Sequence, residues 1–257
     1  MKVLLSGNKG FIGTQIWNAL AGTDYSYSGF DQGMPIPDER FDYILHFGAR
    51  TLIRKSRELP YQYFLDNTDL TLRILEKARR DNSRIVFPTS GSVLEATNPY
   101  SLSKRNGEEW ITLYSKMYGV QSYILKLFNI YGETSRKGAV YLFTKAALED
   151  GRVTIFGNGT HVRDFTHVDD LIRFVMVILS GKISPGSYEV GTGVGTSVLD
   201  LLKIVEEVTG TRLSVKNEDY VVPEAEELHA KSSILPNMVQ IKDGVHRVYR
   251  ALKQKSV

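Results

Sequence analysis

Three side chains near the middle of the chain could move a proton and steady an oxygen: Ser90, Tyr100 and Lys104. Tyr100 and Lys104 are four residues apart, so on a helix they share a face. An ammonium beside a phenol favours the phenolate and should lower the tyrosine pKa toward working pH. Ser90 can orient a substrate hydroxyl or carbonyl. The YxxxK spacing alone is weak, because it recurs at Tyr141/Lys145 and Tyr249/Lys253 in a chain with 14 tyrosines. Context singles out the first pair. Only Tyr100 follows a strand-like run, Arg84–Phe87, that leads into the hydroxyl residues Thr89, Ser90 and Ser92, and only that pair opens a helix, after Asn98-Pro99. At the other two pairs the plainer expectation is an amphipathic helix with an inward ring and a solvated lysine.

A second constellation opens the chain. Gly7, Gly10 and Gly13 lie between a strand-like run, Val3–Ser6, and a helix-like run, Ile12–Leu20. At such a junction the first glycine permits a sharp turn, the second lets backbone approach a pyrophosphate, and the third lets the helix pack close to the strand. Asp31 ends the next strand candidate, Tyr25–Phe30, 18 positions after Gly13. A carboxylate there accepts both adenosine ribose hydroxyls and repels a 2′-phosphate, which favours NAD. Lys9, inside the loop, would attract a 2′-phosphate, so NADP is the alternative.

These residues need a frame. Asp42–Phe47, Arg84–Phe87 and Tyr123–Asn129 read as further strands, and Tyr61–Arg80 and Ser101–Tyr118 as helices, the latter ending at Gly119. Strands alternating with helices imply right-handed βαβ units and an α/β, doubly wound, mostly parallel (Rossmann) sheet. We expect residues 1–130 to form this dinucleotide-binding core. Residues 131–257 should form mainly a smaller substrate-binding lobe, with some elements returning to the core. Val198–Val208 reads as a helix capped by Ser197, Arg212–Asp243 is mixed, and the polar tail Leu252–Val257 should fray.

The composition narrows the chemistry. With 32 Lys and Arg against 29 Asp and Glu, the net charge of +3 is too small to suggest nucleic acid as a partner. The absence of cysteine excludes disulfides, thiolate metal sites and a cysteine nucleophile. No apolar run is long enough to span a bilayer and no signal-peptide core opens the chain, so a soluble cytoplasmic protein is expected and the Asn158-Gly159-Thr160 sequon carries no weight. His167, Asp169 and Asp170 have the look of a metal triplet. The simpler reading is a helix start with its acidic cap, and no metal is expected.

With GNKGFIG, Asp31, HFGA, Ser90 and YSLSK in this order, the chain resembles the extended short-chain dehydrogenase/reductase family. The resemblance continues through KLFNIYGE (Lys126–Glu133), VTIFGNGTHVRDFTHVDDL (Val153–Leu171) and YEVGTGVGTSVLDL (Tyr188–Leu201). It covers residues 1–210 and points to the nucleotide-sugar epimerase and dehydratase branch, near the UDP-sugar 4-epimerases. It implies that Phe11 and Ile12 lie on the pyrophosphate, and that Phe47, Gly48 and Ala49 line the nicotinamide ribose side. It further implies that Asn67 supports the loops beside the cofactor, Lys104 also bonds the nicotinamide ribose, and Phe128 lies near the nicotinamide. Asn129 would meet the substrate, and Arg163 would pair with its diphosphate, an ion pair with Asp164 being the alternative. His46 is expected to be a packed strand residue. A homodimer is implied, the helices Tyr61–Arg80 and Ser101–Tyr118 pairing into a four-helix bundle.

The chain departs from the family pattern in three places. Between Asp31 and Asp42 there is no room for the usual third strand and its helix, so the acidic residue that normally reaches the adenine is missing. The segment from Ser90 to Tyr100 is short. The usual second diphosphate arginine near residue 224 is absent, and Pro223–Glu227 is acidic instead. Among reactions, the residues suit an NAD-dependent epimerase working through a transient keto-sugar. A reductase of a 4-keto nucleotide sugar needs the same three groups. A 4,6-dehydratase ranks lower, because Gly91-Ser92 stands where related dehydratases place Asp-Glu. A non-catalytic NAD(P)-binding protein would have no need of all three groups.

Overall fold

Hydrophobic patterning builds the first half of the chain as alternating strands and helices. A computed structural model describes residues 1–91, 97–219 and 225–254. In chain order the elements are β1 (Lys2–Ser6), α1 (Phe11–Ala21), β2 (Ser26–Phe30), β3 (Tyr43–His46), α2 (Ile53–Glu58), α3 (Pro60–Tyr63), a π-helical turn (Phe64–Asp69), α4 (Leu70–Asp81), β4 (Arg84–Ser90), α5 (Pro99–Tyr118) and β5 (Ser122–Leu127). There follow β6 (Asn129–Tyr131), α6 (Ala139–Leu148), β7 (Arg152–Phe156), β8 (Val162–Arg163), β9 (Phe165–His167), α7 (Val168–Leu179), β10 (Gly186–Val190), β11 (Thr196–Ser197), α8 (Val198–Thr209), β12 (Ser214–Glu218), β13 (Glu227–Leu228) and α9 (Ile241–Lys253). Ser92 and the Pro223-Glu224 start of the acidic stretch lie outside the described residues.

The chain divides into two units: Met1–Leu127 with Val175–Tyr188, and Phe128–Phe174 with Glu189–Val257. The main sheet has the order β10-β5-β4-β3-β1-β2. Its β1/β2, β1/β3, β3/β4 and β4/β5 pairs are parallel, which makes it a Rossmann-type α/β sheet. Residues 31–42 contain no strand, so β2 forms one edge. Leu4, Ile44, Ile85 and Ile124 from the strands pack with Ile74, Leu75 and Ile111 from α4 and α5. The second unit has its own core, in which Phe143, Ile155, Phe165, Leu201 and Val245 meet.

The expected single helix Tyr61–Arg80 is in fact α3, the π turn and α4. A π turn carries an extra residue per turn, and such bulges concentrate at functional sites. Of the tail expected to fray, Leu252 and Lys253 close α9, and residues 255–257 lie outside the described residues. The start of α5 is specified by its own sequence. Asn98 Oδ1 accepts the Ser101 amide at 2.9 Å, the Ser101 hydroxyl reciprocates, and Pro99 occupies the first turn. Its end is Gly119, left-handed at φ 71°.

Candidate active site

The glycine loop is held from three sides. The Gly7 amide donates to the Phe30 carbonyl at 2.9 Å, and the Gly10 amide to the Gly7 carbonyl at 3.0 Å. Gly7 has φ +75°, and a Cβ there would lie 2.7 Å from the Gly48 backbone. A Cβ at Gly13 would overlap the Gly7 carbonyl oxygen. The fold's own packing therefore accounts for both glycines. Gly10 is different. Its φ is an ordinary −74°, and the nearest atom to a Cβ would be the Gly7 oxygen at 3.3 Å. A Cβ there would press on the loop far less than at the other two, and its absence leaves the backbone open to whatever approaches from outside. Gly10 is the N-cap of α1, which has no side-chain cap and no acidic residue in its first turn. The amides of Phe11, Ile12 and Gly13 thus form an anion-binding end suited to a pyrophosphate.

Asp31 follows β2 directly. Its carboxylate accepts the Lys9 amide at 3.0 Å and the Gln32 amide at 2.7 Å, which fixes it beside the loop. A cavity opens beyond the carboxyl ends of β1, β2 and β3, lined among others by Gly7, Asp31, Met34, Ala49 and Leu65. Gly48 and Ala49 follow β3, and the Gly48 amide donates to Ser6 Oγ at 3.0 Å. Phe47 stands half-buried beside Gly7. Asn67, buried in the π turn, grips the next residue of that loop. Its Oδ1 accepts the Arg50 amide at 2.8 Å and its Nδ2 donates to the Arg50 carbonyl at 3.1 Å. The same Nδ2 donates to Ser103 Oγ at 2.8 Å, which ties the loop to α5. These features fit an adenine dinucleotide.

Ser90 ends β4, half-buried, and Tyr100 and Lys104 occupy successive turns of α5. Lys104 is buried, with Nζ 4.1 Å from the centroid of the Phe87 ring. Gly107 makes this approach possible, because a Cβ there would meet the Phe87 ring at 2.6 Å. The electrostatics correct one expectation. Burial pushes Tyr100 up to about 12, with Tyr63 adding to the rise, and burial brings Lys104 down to about 7. Burial decides the direction of both shifts, since desolvation disfavours the charged form of each group.

In the second unit, Asn129 starts β6, exposed, opposite Phe165 of β9. Phe128 is buried and packs where a Cβ on Gly191 would lie, 3.1 Å from its ring. Arg163 ends β8, nine-tenths buried, with Nη1 donating to the Val162 and Glu226 carbonyls at 2.9 and 3.4 Å. The Asp164 carboxylate accepts from Thr192 N and Oγ1 and from Gly193 N. His167 and Asp169 stay together, Nδ1 lying 3.5 Å from the Asp169 carboxylate, while His167 Nε2 lies 3.2 Å from Glu133, Asp169 also pairs with Arg247, and Asp170 pairs with Arg173. Tyr141 and Tyr249 lie half-buried on α6 and α9, each with an exposed lysine a turn later. Sequence reasoning passed over Phe87, Gly107 and Ser103. The aromatic end of RIVF was the one visible sign of the first, and nothing local marks the others.

The chain is similar to several known proteins. A UDP-glucose 4-epimerase of Lactobacillus helveticus is 26% identical, the alignment covering 82% of this chain and 82% of the relative. A UDP-2-acetamido-2,6-beta-L-arabino-hexul-4-ose reductase of Pseudomonas aeruginosa is 27% identical, covering 84% of this chain and 59% of that protein. The crystal structure of UDP-glucuronic acid 4-epimerase from Bacillus cereus, in complex with UDP-glucuronic acid and NAD, aligns with a TM-score of 0.87 at 25% identity, over 99% of this chain and 100% of that one. The profile of the NAD dependent epimerase/dehydratase family matches residues 3–191, a span that includes the glycine loop and the Ser90–Lys104 segment, and this chain belongs to that family.

Proposed function

We propose that the protein is an NAD-dependent epimerase of a nucleotide-diphosphate sugar. The observation that carries this reading is the pairing, within one unit, of an uncapped glycine-loop helix beside Asp31 with Ser90, Tyr100 and Lys104. The epimerase activities of the relatives support it. NAD, when bound in its oxidised form, supplies a hydride acceptor that later returns the hydride. The amides of Phe11, Ile12 and Gly13 would hold its pyrophosphate and Asp31 its adenosine ribose. Gly48 and Ala49, on the loop pinned by Asn67, would line the nicotinamide ribose side, and Phe128 would lie near the nicotinamide.

Tyr100 Oη takes the proton of a sugar hydroxyl, at C4 on this reading, as the carbon loses hydride and the C–O bond becomes C=O. The same phenol returns that proton when hydride comes back to the opposite face. Ser90 steadies the oxygen through both changes. Tyr100 must first be ionised, which burial opposes, and on this reading a protonated Lys104, one turn along α5, is the charge that works against that cost. With its pKa near 7 the lysine gains and loses its proton within the working range. Arg163 would meet the diphosphate, and Asn129 the sugar or phosphates.

The exposed stripe Leu102, Trp110, Leu113 and Met117 on α5, with Tyr61 and Phe64 also exposed, supports a homodimer built on these helices. Among the described residues no helix is long and apolar enough to cross a membrane, and we assign the enzyme to the cytoplasm. The test is to identify the dinucleotide that co-purifies and to assay a panel of nucleotide sugars by chromatography, with and without NADPH. Conversion without added reductant, with NAD retained, is expected. Product formed only with NADPH would establish the second reading, reduction of a 4-keto nucleotide sugar, which the Pseudomonas relative's activity favours.

A further inference from the structure

His46 sits at the end of β3 with 1% of its surface exposed, and both ring nitrogens are engaged. Nδ1 lies 2.7 Å from Ser6 Oγ, and Nε2 lies 3.0 Å from Thr71 Oγ1. The neighbours settle which nitrogen carries the proton. Thr71 donates its own proton to the Asn67 carbonyl at 2.6 Å, so its oxygen accepts from His46 Nε2–H. Ser6 Oγ accepts the Gly48 amide, so its proton goes to the bare Nδ1. The result is one directional chain of donors: Gly48 amide, Ser6, His46, Thr71, Asn67 carbonyl. It continues through the Asn67 side chain to Ser103 Oγ, and the Ser103 hydroxyl donates to the Tyr100 carbonyl at 2.7 Å. Ser6, Asn67, Thr71 and Ser103 are all buried. The imidazole also leans on Phe87, centroids 5.7 Å apart, and this is the ring beneath Lys104 Nζ.

We propose that His46 is a positioning residue: its neutral imidazole joins the loop floor at Gly48 to the first turn of α5, and so holds Tyr100 and Lys104 in register with the dinucleotide cavity. The proposal rests on the enzymatic reading above. A fully satisfied buried network of this kind specifies geometry that apolar packing leaves looser. An imidazole suits the place because its two nitrogens face opposite ways with complementary roles. Glutamine or asparagine can reach one side only.

The test cuts the chain away from both ends. Thr71→Val keeps the shape of the side chain and removes the hydroxyl, and Thr71→Ser puts the hydroxyl back. Four quantities are read for each: kcat and KM for the nucleotide sugar, NADH affinity by fluorescence titration, and Tm. Thr71→Val should lower kcat and NADH affinity by about tenfold each, the worth of one buried hydrogen bond, with KM for the sugar little changed. Thr71→Ser should recover most of both, and His46→Gln should fall between them. A Thr71→Val protein with wild-type kcat and NADH affinity, whatever its Tm, overturns the proposal, as does a loss that Thr71→Ser fails to restore. If Thr71→Val does not fold, Ser103→Ala makes the cut at the α5 end and is judged by the same readouts. If the wild type binds NADH but converts no sugar, the enzymatic reading fails, and NADH affinity alone decides for or against the relay.

Discussion

Adding one methyl group at Gly10 or at Gly13 should separate packing from binding in the glycine loop. At Gly13 the new Cβ overlaps the Gly7 carbonyl oxygen and lies 2.8 Å from Gly7 C and 3.0 Å from Asn8 Cα. All three are backbone atoms and cannot rotate away, so α1 must back off. Overpacking of this kind costs about 1–3 kcal/mol, a Tm loss of roughly 2–10 °C for a chain of this size. A displacement of about 1 Å at a positioning loop costs on the order of 100-fold, so dinucleotide affinity falls as well. At Gly10 φ is −74° and the nearest atom, the Gly7 carbonyl oxygen, lies 3.3 Å from the new Cβ, so the loop has to give by only a few tenths of an ångström, far less than at Gly13. The entropy gained by replacing glycine and the poorer N-cap offset to within about 1 kcal/mol. Gly10→Ala should therefore keep its Tm and still lose dinucleotide affinity by about tenfold or more, because the methyl stands where the pyrophosphate approaches. NADH fluorescence titration and thermal melts on both variants make the comparison. If Gly10→Ala binds NADH as tightly as wild type, the pyrophosphate does not lie against Gly10, and the loop reading is refuted.

Tyr100→Phe keeps the ring and should lower kcat by ~10²–10⁴ with near-normal NADH binding, while Tyr141→Phe and Tyr249→Phe stay near wild type in the nucleotide-sugar assay. Lys104→Met should abolish turnover yet stabilise the protein at pH 7 by an amount on the order of a few kcal/mol. The unfolded lysine holds its proton to 10.5 and the folded one only to about 7, so wild-type stability rises with pH across that window and the advantage of Lys104→Met shrinks; melts from pH 6 to 10 measure this. Met117→Glu places a charge on the exposed α5 stripe and should give a monomeric mass by light scattering, whereas a mass unchanged from a dimeric wild type would remove this face from the interface.

The ends of α5 were legible because they are written locally, in Asn98-Pro99 and in Gly119. The glycine loop was legible for the same reason, as spacing at a strand–helix junction. The π turn was not. The apolar positions Phe64, Leu65, Leu72 and Leu75 read smoothly through an inserted residue, and only the tertiary grip of Asn67 on Arg50 shows where the extra residue is absorbed. Exposed, charge-rich α2 has no apolar face to betray it. The pKa values of Tyr100 and Lys104 ran against the local rule, because i, i+4 spacing describes a helix in water, whereas Phe87, 17 positions upstream of Lys104, supplies a dry surface that no window around YSLSK contains.

The edge position of β2 bears on how the chain behaves when crowded. Five residues, Ser26–Phe30, present one row of backbone donors and acceptors away from β1, and such rows invite strands from other molecules. The strand itself gives such a visitor little to hold, since its sequence is Ser-Tyr-Ser-Gly-Phe and only Phe30 is buried. Glu39 works on the inner side instead, accepting from Ser28 Oγ at 2.9 Å and pairing with Lys2 of β1, and so clips the connecting segment to the sheet. Pairing of the outer row between molecules would surface as precipitation during expression rather than as a change in turnover.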